Sequence, residues 1–126
     1  LIAGTYTPVT FIVLRGKLGW FIFAAVWLLA LIGIGYEIAP VEKNSTAVSV
    51  ILCVIMGWLI IFAIQPLLAQ MNPLSLRFLV LGGVLYTLGL IFYGAKQIKY
   101  HHAIWHIFVL AGSAAHFFTM LFLLPQ

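Results

Sequence analysis

Charge is what this sequence most lacks. Two of its 126 residues are acidic, Glu37 and Glu42, six are Lys or Arg, and there is no aspartate. Charged side chains make up 6% of the chain, against roughly a quarter in an ordinary globular domain, too few to give a water-soluble fold its polar cover. The cations are scattered as Arg15, Lys17, Lys43, Arg77, Lys96 and Lys99; with no basic cluster, nucleic acid is excluded as a partner and the net charge of +4 is assigned to loops that meet lipid headgroups. A single cysteine, Cys53, lies inside an apolar run, so no intramolecular disulfide can form. The Asn44-Ser45-Thr46 sequon has meaning only in a secreted loop of a glycosylating cell, and no other feature points to one.

What is present is apolar: 65% of the residues are hydrophobic and the mean hydropathy is +1.22. A helix needs about 20 residues to cross the hydrocarbon core of a bilayer, and four runs are long enough: Trp20 to Ile38, Ala47 to Leu68, Leu76 to Ala95, and His102 to Leu124. Glu37, Pro40 and the "VEKNST" stretch end the first, Pro66 lies near the end of the second, and "NPLS" precedes the third. The connections are short, which makes neighbouring helices antiparallel. The expectation is an all-α integral membrane protein, residues 1–126 forming one transmembrane bundle. Its lipid neighbours are its first partners.

The start of the chain differs. "LIAGTYTPVTFIV" is too short to span, begins on Leu, and is followed by the charged turn "RGKLG". It lacks the basic segment of a signal peptide, and Thr5, Thr7 and Pro8 interrupt it. It is expected to be the tail of a helix whose front lies upstream. Counting positive residues does not orient the bundle: Arg15, Lys17 and Arg77 fall on one side and Lys43, Lys96 and Lys99 on the other.

The chemistry-bearing residues are histidines. His102 and His106, four residues apart, lie about 40° apart around a helix and about 6 Å apart along it, on one face. That spacing offers two imidazoles to one metal ion. The same pair can serve instead as hydrogen-bonding groups between bundle helices. His101 is turned about 100° away from His102, toward headgroups and water, and His116 lies about 15 Å deeper than His106, too far to share a metal; an interhelix hydrogen bond is its expected role. A catalytic zinc takes three protein ligands, and on the same side of the bilayer the sequence offers only Glu37, Glu42 and Cys53 as further donors. The missing ligands are expected upstream of Leu1.

Four stretches, "AGTYTP" at 3–8, "MGW" at 56–58, "LGGVLYTLGLIFY" at 81–93 and "HAIWHIFVLAGSAAHF" at 102–117, together resemble the hemolysin III family, the bacterial branch of the progestin and adipoQ receptor family that includes the adiponectin receptors. The resemblance is collinear over the whole chain. It implies a seven-helix membrane protein with a zinc site near the cytoplasmic side, held by one histidine of the second helix and two at the start of the seventh, with an acidic residue of the third helix nearby. His102 and His106 match the seventh-helix pair. His116 matches a recurrent histidine that is not a ligand. The second-helix histidine and the third-helix acid fall before Leu1, where ligand counting also puts the gap.

The resemblance further implies that the four full spans are helices four to seven and that residues 1–13 finish helix three. It places the chain in the bacterial inner membrane, with the Lys96–His101 turn in the cytoplasm and the C-terminus outside. Trp20, Tyr36 and Tyr100 then fall near the interfaces, Gly82, Gly83, Gly89 and Gly94 are expected where helices pack closely, and Met56 and Trp58 are expected to pack. Three functions are open: a zinc-dependent hydrolase of lipid amides or esters, like the ceramidase-type membrane hydrolases in its ligand set; a pore-forming cytolysin; and a zinc-stabilised sensor or receptor without turnover. A wide pore is disfavoured, because the spans offer few polar side chains beyond Gln65, Thr87, His106, Ser113 and His116.

Overall fold

The computed structural model describes residues 1–38 and 46–123. They form α1 (Ile2–Val9), a π-helical turn (Thr10–Leu14), α2 (Gly16–Ile38), α3 (Thr46–Trp58), a 3-10 segment (Leu59–Ala63), α4 (Ile64–Gln70), α5 (Pro73–Gly94) and α6 (His101–Leu123), with no strand among the described residues. Four helical stretches, Gly16–Ile38, Ala47–Gln70, Pro73–Gly94 and His101–Leu123, are long and apolar enough to cross a membrane. The all-α, multiply spanning architecture predicted from hydropathy is therefore found. Large apolar side chains point outward along these helices, Phe62 being 79% and Leu110 72% exposed, as a lipid solvent permits. Pro40, Glu42, Lys43, the side chains of the Asn44-Ser45-Thr46 sequon, and the predicted helix end at Leu124 lie outside the described residues.

Two helix starts precede the predicted ones for local reasons. α2 takes in Gly16 and Lys17, because a lysine at a helix end can extend its stem toward the interface. α5 begins at Pro73, since the Asn72 side chain caps it by accepting the Ser75 N–H at 2.7 Å and proline suits the first turn.

The chain divides into two compact units, one ending at Ile64 and the other beginning at Gln65. In the first, α1 and α2 meet through a tight turn in which Arg15 and Gly16 have φ values of 27° and 71°. Gly19 makes the approach possible: a Cβ there would stand 2.6 Å from the Thr10 carbonyl oxygen. Ile22 and Val26 of α2, and Val9 and Val13 opposite, are buried. The Trp27 indole donates to Thr7 Oγ1 at 3.2 Å, and Phe11, Trp20 and Phe23 form an aromatic cluster beside it.

The predicted second span is not a uniform α-helix. Pro66 has no N–H for the Phe62 carbonyl, and its ring crowds that same carbonyl; the preceding residues Leu59–Ala63 adopt 3-10 geometry. Backbone groups freed inside a membrane must find other partners. Tyr6 supplies them, its hydroxyl donating to the Gly57 carbonyl at 2.8 Å and accepting the Ile60 N–H at 3.0 Å. Tyr6→Phe leaves both without that partner, at about 1–3 kcal/mol for each unsatisfied buried group. The expected result is a clearly lower melting temperature for the purified protein in detergent, and an unchanged one would show that the break is satisfied without Tyr6.

In the second unit α5 and α6 form an antiparallel hairpin. Each of two glycines receives an aromatic ring from the opposite helix. A Cβ on Gly82 would lie 2.7–2.9 Å from atoms of the His116 ring, and one on Gly112 would lie 2.7 and 2.8 Å from carbons of the Tyr86 ring. The two notches thus pair Gly82 and Tyr86 on α5 with His116 and Gly112 on α6, each glycine four residues before its helix's ring. Phe78 with Phe118 and Phe122 closes one end of the hairpin, and Phe92 stacked on Phe108 lies toward the other. Of the four glycines expected at close contacts, Gly82 and Gly89 are there, but among the described residues a Cβ on Gly83 or Gly94 would meet nothing within 4 Å, a difference that composition alone cannot reveal.

Candidate metal centre

The turn between α5 and α6 sets the position of the histidine pair. Ala95 N–H bonds back to Ile91 and Phe92, Ile98 N–H to Ala95, and His101 N–H to Ile98. Closing the chain this tightly puts Tyr100 at φ 65°, a left-handed conformation that costs a non-glycine residue about 1–2 kcal/mol. α6 starts at the next residue. The Lys99 ammonium lies over the Tyr100 ring, 5.0 Å from its centroid.

His102 and His106 project from the first two turns of α6 and meet. Their Nε2 atoms are 3.2 Å apart, with ring centroids at 4.8 Å and planes 88° apart. Two nitrogens bound at 2.0–2.1 Å to one tetrahedral zinc stand about 3.3–3.4 Å apart. The donor atoms and their separation fit a shared zinc with little movement. Both rings are exposed within their unit.

The surroundings impose one requirement. The positive end of the α6 macrodipole disfavours a dication, and Lys99 adds like charge nearby. An anionic partner and further ligands are needed. Among the described residues no three His, Cys, Asp or Glu side chains come together. Glu37, at the end of α2, accepts a hydrogen bond from Ser49 at 3.3 Å, and Cys53 is a half-buried free thiol in α3; Glu42 lies outside the described residues.

The other two histidines behave differently from expectation. His101, predicted to meet water, is half-buried, and its Nδ1 atom is enclosed without a hydrogen-bond partner among the described residues. His116 was expected to bond across the helix interface. The bond that crosses there joins Tyr86 and Ser113 at 2.9 Å, and His116 contributes ring packing against Gly82 and Tyr86. Gly112 and Trp105 were not anticipated as important. Their signals were available, Gly112 standing four residues before His116 and Trp105 next to His106.

The family model described as Haemolysin-III related matches residues 1–117. The chain belongs to the hemolysin III family. Among hemolysin III relatives it is 48% identical to Hemolysin-3 of Bacillus cereus and 50% identical to the Hemolysin-3 homolog of Bacillus subtilis (strain 168), each match covering 97% of this chain and 55% and 57% of those proteins. It spans little more than half their length. The human Monocyte to macrophage differentiation factor is 32% identical over 85% of the chain and 42% of its own length. No solved structure matches. Together with the four apolar helices, this membership makes the chain an integral, multi-pass membrane protein of the hemolysin III family.

Proposed function

We propose that His102 and His106 bind zinc near the cytoplasmic side of a bacterial inner membrane, and that the protein uses it to hydrolyse an amide or ester bond in a lipid. The observation that carries this reading is the 3.2 Å separation of the two Nε2 atoms, which suits one tetrahedral ion. A third histidine and an acidic residue, expected upstream of Leu1, complete the set and supply the anionic partner that the helix end requires.

Bound zinc supplies Lewis-acid polarisation of a carbonyl and a water nucleophile near neutral pH. The chain's own contribution is placement. α6 holds the pair in its first two turns, beside a turn whose exposed Tyr100 suits the headgroup level. A lipid can there present its polar linkage to the site while its acyl chains stay in the hydrocarbon. The C-terminus is then outside the cell.

The name Hemolysin-3 of the Bacillus cereus relative favours a second reading, a pore-forming cytolysin. Three hydroxyls of α5 and α6 speak against a water-lined face on this hairpin: Thr87, Ser113 and Thr119 each donate to a carbonyl of their own helix, at 2.8, 2.8 and 3.0 Å.

Full-length protein in lipid nanodiscs is expected to retain one zinc per chain, to lose it to a strong chelator, and to release fatty acid from N-acyl or O-acyl lipids only while zinc is bound. Zinc-free protein with full turnover would refute the metal reading, and zinc-loaded protein without turnover on any acyl lipid would refute the hydrolase. Dye leakage from protein-containing liposomes would favour the pore.

A further inference from the structure

Trp105 sits between the two histidines in sequence and against both in space. It follows His102 by three positions, a spacing that makes the two neighbours on the helix surface, and it directly precedes His106. The ring centroids are 4.5 Å from His106 and 5.1 Å from His102, with planes tilted by 49° and 43°. The indole also meets Tyr93 of α5 at 5.0 Å, and Tyr93 reaches His102 at 6.4 Å. A Cβ on Gly89 would make ordinary contact with Trp105 Cδ1 at 3.5 Å and crowd Phe108 Cβ at 3.0 Å, so glycine eases the approach of α5 to α6 at Phe108, one turn beyond the indole that α5 backs.

An exposed imidazole has several rotamers, and ligation selects one from each histidine. A side chain that limits both rings at once lowers the entropy lost when the ion binds. Groups outside the ligand shell that orient ligands commonly change metal affinity by 10- to 100-fold. From these contacts we infer that Trp105 is a positioning residue, holding His102 and His106 in their ligating orientation while Tyr93 of α5 backs its indole. The inference rests on the zinc reading above and adds to it a residue that does not itself touch the ion.

The test is zinc affinity, measured on full-length protein in nanodiscs by competition with a chromophoric chelator, together with the visible d–d absorption of the cobalt(II)-substituted protein. Trp105→Leu is expected to weaken zinc about tenfold and to shift the cobalt bands, while Trp105→Phe, which keeps an aromatic wall, stays within about threefold of the original protein. Tyr93→Leu removes the outer support and is expected to weaken zinc about threefold, which keeps the inference testable if Trp105→Leu does not fold. If the original protein binds zinc through His102 and His106 and these variants bind it equally well with unchanged cobalt spectra, Trp105 has no positioning role and the zinc reading stands. If the original protein binds no zinc, or binds it undiminished after His102→Ala and His106→Ala, the zinc reading fails and takes this inference with it.

Discussion

His106→Ala is expected to abolish zinc retention and, with it, any lipid turnover, while leaving the fold intact. The two effects separate because the residue is exposed within its unit and its ring contacts are with His102 and Trp105 of its own helix, and surface substitutions usually change stability by about 0.5 kcal/mol or less. Losing a ligand is costlier than losing an outer partner, which alone weakens metals by 10- to 100-fold, so a drop beyond about a hundredfold is expected. The measurements are zinc content after dialysis and melting temperature in the presence of a chelator. A variant that keeps its zinc would show that the 3.2 Å contact is only a hydrogen bond between imidazoles. One that loses zinc and also melts much lower without metal would mean that the ring has a packing role that its exposure conceals.

The second large effect concerns stability alone. Gly112→Ala puts a methyl 2.7 Å from the Tyr86 ring and 3.3 Å from the Gly82 carbonyl. The ring cannot simply swing aside, because its hydroxyl is bonded to Ser113. Overpacking of this kind costs about 1–3 kcal/mol or more, and Gly112→Val should reach the upper end. The three atoms nearest a Cβ on Gly82 all belong to the His116 ring, which makes a compensating pair possible. Alone, Gly82→Ala should destabilise; combined with His116→Ala the clash disappears, and alanine's helix preference over glycine, about 1 kcal/mol, should recover part of the loss. Thermal melting of the two single variants and the double variant forms a cycle that isolates the coupling. Simple additivity would mean that ring and notch do not meet.

Hydropathy revealed the spans because lipid imposes one requirement on every residue facing it, and that requirement is written in composition. The break at Leu59–Ala63 was visible only as Pro66, since a proline identifies the carbonyl it deprives but not how the chain adjusts. The π-helical turn at Thr10–Leu14 has no local signal of that kind, and we have no physical account of its position. Glycines were ambiguous for a different reason. Gly82 and Gly83 are adjacent and chemically identical, and only the direction of the facing helix decides that one admits a ring and the other admits nothing. The histidine pair was legible from spacing, because three and four residues define one face of any helix. For Trp105 the sequence shows only that it adjoins His106, and an aromatic beside a histidine looks like any interfacial aromatic until its ring contacts are seen.

The hydroxyl of Tyr6 lies fifty-one positions before the Gly57 carbonyl that it engages. A ribosome therefore delivers the tyrosine to the membrane well before the segment it will bend. Pro66 follows that segment, so residues 57–60 are joined to the chain before their own helix breaker. The residue that satisfies the break is thus made before both the segment it serves and the proline that follows, so no part of the chain beyond Ile60 is needed for Tyr6 to meet its partners.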